Sequence, residues 1–481
     1  MQSHFSTQGM AVAPHHLASQ SALSVLREGG SAIEAMVAAA ATIAVVYPHM
    51  NGIGGDGFWL IVPPQGDPIA IDASGAAGSL ATPEAYAGLT HIPHRGPRSA
   101  LTVAGTVSGW DEALQVSYSL TGKSLPLSRL LQDAIGYADN GIPVTASQAS
   151  ATAGKLDELQ RQPGFAETFL VNGRPPQSGS RFCQPALAST LKRLVAEGLD
   201  SFYRGSLAEQ LAAGMARYGL PITLDDLRQH RARRPQPLRL QHQHGELWNL
   251  APPTQGLVSL AILGITDRLA MEQADDAQTI HRIVEATKLA FSLRDKHITD
   301  PLHLDVDIQS LLSPQALQPL AEKIDDQRAA PWGAGKGPGD TVWMGVMDSS
   351  GLAVSFIQSL YHEFGSGVVL PDSGIVWQNR GASFSLDPAH LLALAPGKQP
   401  FHTRTPERWA GDGLWFNGRR RPTANAGGAV HPLYPAERPA SGEYFSSALA
   451  AWAHLGTDFG LTKSRRPLCA ANPRPAQGTG A

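Results

Sequence analysis

Residues 339–347 read GDTVWMGVM, and they place Thr341 between a loop rich in glycine and proline (333–339) and an apolar run (342–347). The apolar run has the composition of a buried strand. A threonine hydroxyl is a poor nucleophile unless a base lies beside it, and the α-amine of the same threonine can be that base. Such an amine has a reference pKa of about 7.7–8.0, but it becomes free only when the chain is cut before the threonine. The segment therefore predicts a precursor that is cleaved between Asp340 and Thr341. The alternative is that Thr341 only begins a strand.

The next turn predicts a second hydroxyl beside this threonine. Residues 348–351 (DSSG) interrupt two apolar runs, and Gly351 suits the left-handed position of a three-residue hairpin loop. A loop that ends at Gly351 pairs the flanking strands so that Thr341 is opposite Ser359. Directly opposed residues share a sheet face, with Cβ atoms about 4.5–5.5 Å apart. A register slip of one residue would turn Ser359 to the other face, so the prediction depends on the loop length.

The composition indicates a globular protein and excludes several classes of partner. Of the 481 residues, 42% are hydrophobic and 16% are charged, and the net charge is −3. This balance gives no nucleic-acid footprint, and we interpret the basic run 419–421 as a solvated patch or an accident of the tail rather than a binding site. Two cysteines exclude a disulfide framework and a cysteine-rich zinc site, and His49, His281 and His362 lack the spacing of metal ligands. The N-terminal residues lack the pattern of a signal peptide, and no apolar stretch reaches spanning length. We therefore expect a cytoplasmic protein without a metal, a cofactor, nucleic acid or a membrane as partner.

The order of predicted elements favours an α+β fold. One strand is predicted over 58–62, and a polar linker is predicted over 228–241. Few strand–helix–strand alternations occur, which argues for layers rather than a doubly wound sheet. Hydrophobic periodicity predicts helices over residues 14–26, 32–46, 127–140, 185–197, 206–218, 224–227, 258–270 and 279–293.

The glycines of residues 51–57 (NGIGGDG) suggest a dinucleotide site, but their context argues against one. A phosphate-binding loop follows a strand and opens a helix, whereas this segment follows a helix and opens a strand. We therefore expect a tight backbone turn near the centre of the fold.

Several segments occur in one order along the chain: residues 32–62, 103–109 (VAGTVSG), 202–205 (FYRG), 252–256 (PPTQG), 281–301, the Asp340-Thr341 junction and 373–375 (SGI). In this order they resemble the γ-glutamyltransferase superfamily, and the similarity extends over about residues 8 to 406. The resemblance implies an N-terminal-nucleophile hydrolase with a four-layer αββα sandwich.

The same resemblance implies the roles of the hydroxyl residues. Self-cleavage after Asp340 would give a large subunit, residues 1–340, and a small subunit that starts with residues 341–406. Thr341 would be both the processing and the catalytic nucleophile, and Ser359 would be the second hydroxyl. The two subunits would come from one precursor, and a dimer of such heterodimers is an assembly that the resemblance allows.

Two departures from the family concern the substrate. Family members that act on γ-glutamyl groups hold the α-amine with an asparagine and an aspartate, and by alignment these positions are Tyr361 and Ala382. An ammonium group would lack its carboxylate partner here. The pattern resembles the cephalosporin-acylase-like and oxamate-amidohydrolase-like branches. Arg95 lies on a stiff loop where the family places its substrate-binding arginine, although it could also face solvent. We expect Arg95 and Tyr361 to bind a small acid amide such as oxamate, which is hydrolysed through an acyl-enzyme. Glutathione hydrolysis or γ-glutamyl transfer is the alternative.

Residues 407–481 depart from the family pattern. After residues 401–403 the family continues to a glycine pair that forms the oxyanion hole, and the present tail does not resemble that region. Residues 415–434 look like a family segment that is read in another frame, so the pair at 427–428 would be a coincidence. A genuinely divergent tail is the other explanation. An inactive remnant is therefore a third candidate function.

Overall fold

The structure is a computed structural model that describes residues 6–243, 245–271, 276–331, 341–370, 372–402 and 407–410. Asp340, the loop before it and the tail from residue 411 onward lie outside the described residues.

The secondary structure of the described residues mixes helices and mostly antiparallel strands. The strands are β1 (Gly9–Val12), β2 (Asp56–Val62), β3 (Ile69–Ala73), β4 (Ile142–Pro143), β5 (Arg181–Phe182), β6 (Leu238–His242), β7 (Gly245–Asn249), β8 (Val342–Asp348), β9 (Ala353–Ser359), β10 (Val369–Leu370), β11 (Ile375–Val376) and β12 (Glu407–Ala410). The α-helices are α1 (His16–Arg27), α2 (Ala32–Val46), α3 (Thr106–Thr121), α4 (Leu127–Leu130), α5 (Gln132–Asn140), α6 (Ala146–Gly154), α7 (Leu156–Leu159), α8 (Phe165–Phe169), α9 (Pro185–Glu197), α10 (Ser201–Arg204), α11 (Ser206–Tyr218), α12 (Leu224–Gln229), α13 (Gly256–Thr266), α14 (Asp276–His297) and α15 (Pro314–Ala321). No helix in the described part of the chain is both long and apolar enough to cross a bilayer.

The hairpin predicted from the sequence forms the centre of the main sheet. Among the described residues this antiparallel sheet has the order β1-β8-β9-β2-β3. The loop between β8 and β9 closes with a hydrogen bond from the Asp348 amide to the Leu352 carbonyl at 3.0 Å. Gly351 has φ of 91°, so it occupies the left-handed conformation that the loop needs. The pairing of Val342 with Gln358 then continues outward to Thr341 and Ser359, which confirms the predicted register.

The two faces of β2 pack against different layers, because side chains alternate along a strand. On one face Trp59 and Ile61 belong to a core that includes α2. On the other face Phe58 packs with Trp248 of β7. The strands β12, β7 and β6 form the second sheet in the described residues, and α13 packs on β6 and β7. The order helix, sheet, sheet, helix confirms the predicted αββα sandwich.

Helix α2 fixes the hairpin to the helical layer. Every residue of α2 is buried, and its N-terminus carries a capping box between Ser31 and Glu34. The Asp348 carboxylate, at the end of β8, accepts a hydrogen bond from the Ala32 amide at 2.9 Å. Because an orphan amide at a helix start needs an acceptor, this contact ties the turn of the hairpin to the start of the helix.

Two sequence-based expectations about elements were wrong. Residues 228–241 do not form a polar linker throughout, since β6 begins at Leu238. In β6 the residues Leu238, Leu240 and His242 are buried while those between them are exposed, so the period of two was present but masked by the polar composition. The helix expected over 127–140 is divided into α4 and α5 at Leu131.

Candidate active site

A pair of hydroxyl groups lies at the open end of the central hairpin. The Thr341 hydroxyl donates a hydrogen bond to the Ser359 hydroxyl at 2.6 Å. Ser359 is only 6% exposed, and its oxygen also accepts a hydrogen bond from the Tyr361 amide at 3.0 Å. Since Ile357 is opposite Phe58 of β2, this face of the hairpin is directed toward the second sheet. The two hydroxyls predicted from the register are therefore in contact between the two sheets.

The glycine-rich turn before β2 brings Asp56 opposite this pair. The Gly55 amide donates to the Gly52 carbonyl at 3.2 Å, which makes a backbone turn as the sequence indicated. A Cβ atom at Gly55 would lie 2.2 Å from the Ser359 carbonyl oxygen, so only glycine allows this approach. Asp56 then pairs with Ser359 across β2 and β9.

Asp56 is buried, and hydrogen-bond donors surround one oxygen of its carboxyl group. One carboxylate oxygen accepts hydrogen bonds from the amides of Gly75 and Gly105, each at 3.2 Å, and from the Gln378 side chain at 3.0 Å. The other lies 3.5 Å from His402 Nε2, without the geometry of a hydrogen bond. Burial raises the pKa of Asp56 to about 7 despite the three donors. Burial also lowers the pKa of His402 well below its usual value, so the histidine is neutral.

Substitution of Asp56 by asparagine is expected to change how stability depends on pH. Burial raises the pKa of Asp56 from 3.8 to about 7. Between these two pH values the folded protein keeps a proton on Asp56 that the unfolded chain releases. The stability that this proton contributes is fully present below pH 3.8 and is lost as pH rises through about 7. Three pKa units correspond to on the order of 4 kcal/mol. Asparagine keeps an acceptor oxygen for the three donors. Relative to the wild type, Asp56→Asn should therefore gain stability between pH 4 and pH 8.

Urea unfolding of both proteins at several pH values measures this difference. The exposed Asp67 supplies a matched control, because Asp67→Asn should leave the pH dependence unchanged. Parallel pH profiles for Asp56→Asn and the wild type would contradict the assignment of a raised pKa.

The segment after Ser359 bends sharply around the hydroxyl pair. Tyr361 has φ of 84° and Phe364 has φ of 58°, which is the left-handed region that side chains rarely adopt. Asn379 holds this bend, because its side-chain oxygen accepts from the His362 amide at 3.1 Å and its side-chain nitrogen donates to the His94 carbonyl at 2.8 Å. The bend therefore depends on tertiary contacts and places Tyr361 at the site.

Arg95 lies next to the same bend and is already engaged. Its Nε atom is 2.9 Å from the Glu158 carboxylate, and its Nη1 atom donates to the carbonyls of Glu363, at 2.6 Å, and Gly365. These contacts give Arg95 a part in shaping residues 361–365. Its direct contact with a substrate stays a prediction.

Arg380 is a residue at this site that the sequence reasoning missed. It begins a short 3-10 helix, Arg380–Ser383, which also contains Ala382. Its guanidinium carbon lies 4.0 Å from the centre of the Tyr361 ring, and the residue is 2% exposed. The sequence did contain a signal for Arg380. This arginine lies two residues before Ala382, which occupies the position where the family has the aspartate that binds the amine.

The three histidines considered as metal ligands are in separate surroundings. His49 is buried, and burial lowers its pKa to about 3. His362 stacks on Tyr361, and burial lowers its pKa to about 4. His281 is hydrogen bonded to the Asp325 carbonyl at 2.9 Å. Within the described ranges no three His, Cys, Asp or Glu residues come together in a metal-binding group.

A cleft of about 550 Å³ lies elsewhere in the described residues, and Ser108, Asp111, Tyr203 and Arg204 are among those that line it. Ser108 is hydrogen bonded to His230 at 2.9 Å, but burial lowers the pKa of His230 to about 3 and makes it a weak base. None of the residues that line the cleft belongs to the cluster around the hydroxyl pair. The chemistry therefore places the candidate active site at the hydroxyl pair.

Comparisons with known proteins agree on one family. The chain matches the family described as Gamma-glutamyltranspeptidase over residues 18–412. It is 79% identical over 404 residues to an oxamate amidohydrolase proenzyme from Klebsiella pneumoniae, with 84% of this chain and 76% of that protein covered. It is 38% identical to a glutathione hydrolase-like YwrD proenzyme from Bacillus subtilis, with 83% of this chain and 76% of that protein covered. The structure is similar to that of a cephalosporin acylase from Bacillus halodurans, with a TM-score of 0.79, 34% identity, and 86% of this chain and 76% of that chain covered. The chain therefore belongs to the gamma-glutamyltranspeptidase family.

Proposed function

We propose that the chain is a proenzyme that cleaves itself before Thr341 and then hydrolyses a small acid amide such as oxamate. The observation that carries this proposal is the 2.6 Å contact between the hydroxyls of Thr341 and Ser359 at the start of a rigid hairpin. The 79% identity to an oxamate amidohydrolase proenzyme supports the substrate class.

In the processing step the Thr341 hydroxyl attacks the carbonyl carbon of Asp340. Ser359 accepts the hydrogen bond from Thr341, which fixes the orientation of the attacking hydroxyl. The peptide bond breaks as an ester forms between the Asp340 carbonyl and the Thr341 oxygen, and the proton of the hydroxyl passes to the leaving nitrogen. Water then hydrolyses the ester, which leaves a carboxylate on Asp340 and a free α-amine on Thr341.

In turnover the new α-amine of Thr341 takes the proton of its own hydroxyl. The oxygen attacks the amide carbonyl of the substrate, and ammonia leaves with that proton. For oxamate the product of this step is an oxalyl ester on Thr341. Water cleaves the ester to release oxalate and to restore the hydroxyl. Both tetrahedral intermediates carry a negative oxygen that needs hydrogen-bond donors.

The remaining site assignments extend this proposal. Tyr361, whose amide contacts Ser359, would contact the substrate, and Arg95 holds the bend that positions it. The cytoplasm as location, and a dimer of heterodimers as assembly, also remain proposals.

The expected substrate preference is for oxamate over glutathione. Tyr361 and Ala382 stand where an amine-binding pair would be needed, and Arg380 adds a positive charge against the Tyr361 ring, which repels an ammonium group. The measurement compares ammonia release from oxamate with glutamate release from glutathione, with the same processed protein and matched concentrations. A clear preference for glutathione would contradict the proposal and favour the glutathione hydrolase alternative.

A further inference from the structure

Arg380 carries a buried positive charge, and the described residues leave part of its hydrogen-bonding capacity unused. The residue is 2% exposed, and its Nε and Nη1 atoms have no hydrogen-bond partner among the described residues. An unsatisfied buried donor costs about 1–3 kcal/mol, and more when it is charged. A guanidinium is therefore seldom left in this state unless a ligand completes its contacts.

Among the described residues, the carboxyl of Asp56 interacts with the charge of Arg380, but no hydrogen bond joins the two side chains. The carboxyl of Asp56 directs one oxygen to three N–H donors, and burial raises its pKa to about 7 although the charge of Arg380 lowers it. Burial lowers the pKa of His362 and of His402, and the charge of Arg380 lowers both further. The Tyr361 ring packs on the guanidinium at 4.0 Å. The described residues around Arg380 therefore leave its Nε and Nη1 donors available to an anion.

A continuous series of contacts joins this charge to the nucleophile. The Thr341 hydroxyl contacts Ser359 at 2.6 Å, and the Ser359 oxygen contacts the Tyr361 amide at 3.0 Å. The ring of the same Tyr361 lies against Arg380. Arg380 is therefore separated from the hydroxyl pair by a single side chain, that of Tyr361.

We propose that Arg380 binds the carboxylate of the substrate whose amide carbonyl is attacked by Thr341. This inference rests on the proposed function and defines its substrate class as short amides with a carboxylate close to the scissile bond. A guanidinium pairs with a carboxylate through two parallel hydrogen bonds, and the unpartnered Nε or Nη1 atom of Arg380 can each form such a pair together with Nη2. The same charge disfavours substrates that bring an ammonium group. Arg95 then acts as a positioning residue that holds the bend at 361–365.

The test measures binding of oxalate, the unreactive product, to the full-length chain by isothermal titration calorimetry. Oxamide, which is similar in size but neutral, is the comparison ligand. We expect the wild type to bind oxalate at least about tenfold more tightly than oxamide, since hydrogen bonds to charged groups contribute about 1.5–3 kcal/mol. Arg380→Met should abolish this preference, and Arg380→Lys should keep part of it. In the exposed control Arg174→Met the preference should persist.

Two further readouts separate binding from folding. Self-cleavage does not use the substrate carboxylate, so Arg380→Met should still be processed. Its melting temperature without ligand should not fall, because the substitution removes an unpaired buried charge. A lower melting temperature together with lost oxalate binding in both Arg380→Met and Arg380→Lys would show a structural role and overturn the inference.

The outcomes also separate this inference from the proposed function. Loss of oxalate preference in Arg95→Met but not in Arg380→Met would overturn the inference and assign the carboxylate to Arg95. Failure of the folded wild type to bind oxalate would overturn it as well. If the wild type binds oxalate through Arg380 but releases no ammonia from oxamate, the inference holds and the proposed reaction is wrong. If ammonia is released and Arg380→Met has an unchanged KM for oxamate, the reaction holds and the inference is wrong.

Discussion

Thr341→Ala is expected to leave the chain uncut and to reduce amide hydrolysis by at least about 10³-fold, because it removes the nucleophile of both reactions. The hydroxyl that Thr341 directs to Ser359 at 2.6 Å has no substitute in alanine. Thr341→Ser keeps an oxygen at the same atom and should still be cleaved, although more slowly. Denaturing electrophoresis follows the cleavage, N-terminal sequencing identifies the new end, and ammonia release from oxamate measures hydrolysis.

The exposed Thr90 provides a control for this experiment. Thr90→Ala changes the same side chain far along the sequence from the hairpin, and it should leave both cleavage and hydrolysis unchanged. Cleavage of Thr341→Ala before residue 341 at the wild-type rate would show that another group or another protein makes the cut. In that case Thr341 would lose its role in processing, and its role in turnover would need separate proof.

Replacement of the segment after residue 403 is expected to have a comparably large effect in the opposite direction. The family match ends at residue 412, and we predict that the sequence after it lacks the pair of oxyanion glycines. Removal of one oxyanion donor costs about 10²–10³ in rate. Restoring the reading frame after residue 403, or grafting the corresponding C-terminal segment of the Klebsiella oxamate amidohydrolase proenzyme, should therefore raise oxamate hydrolysis by about that factor for each donor recovered. Resequencing of the gene across codons 400–420 tests the shifted frame directly.

The reciprocal graft tests whether the tail itself is responsible. Transfer of residues 404–481 of this chain to the Klebsiella protein should abolish its activity by the same reasoning. Size-exclusion chromatography of each protein shows whether lost sheet partners cause association through exposed edges. If the chain with its own tail is monodisperse and as active as the graft, the inactive-remnant alternative is wrong. Gly427 and Gly428 would then become candidates for the oxyanion hole.

The sequence was most informative where the interactions that fix the structure are local. The loop that ends at Gly351 sets the hairpin register, and a count along the two strands was enough to place Thr341 beside Ser359. The apolar helix Ala32–Val46 was predicted with its observed limits, because a buried helix must be apolar on all sides and its cap lies in adjacent residues. Strand β6 was missed because its polar residues hid the alternation of buried and exposed side chains.

What the sequence by itself determined about this protein is the hairpin, its hydroxyl pair and, through ordered motifs, the family. Only the tertiary structure decided what surrounds that pair. Asp56 faces Ser359 across the sheet, and Arg380 lies on the Tyr361 ring with donors unused. Periodicity and composition do not encode such contacts, because they join segments that are far apart in the chain, and because burial without a partner is a property of the whole packing arrangement. The same holds for Arg95, whose guanidinium is directed to backbone carbonyls that no motif identifies.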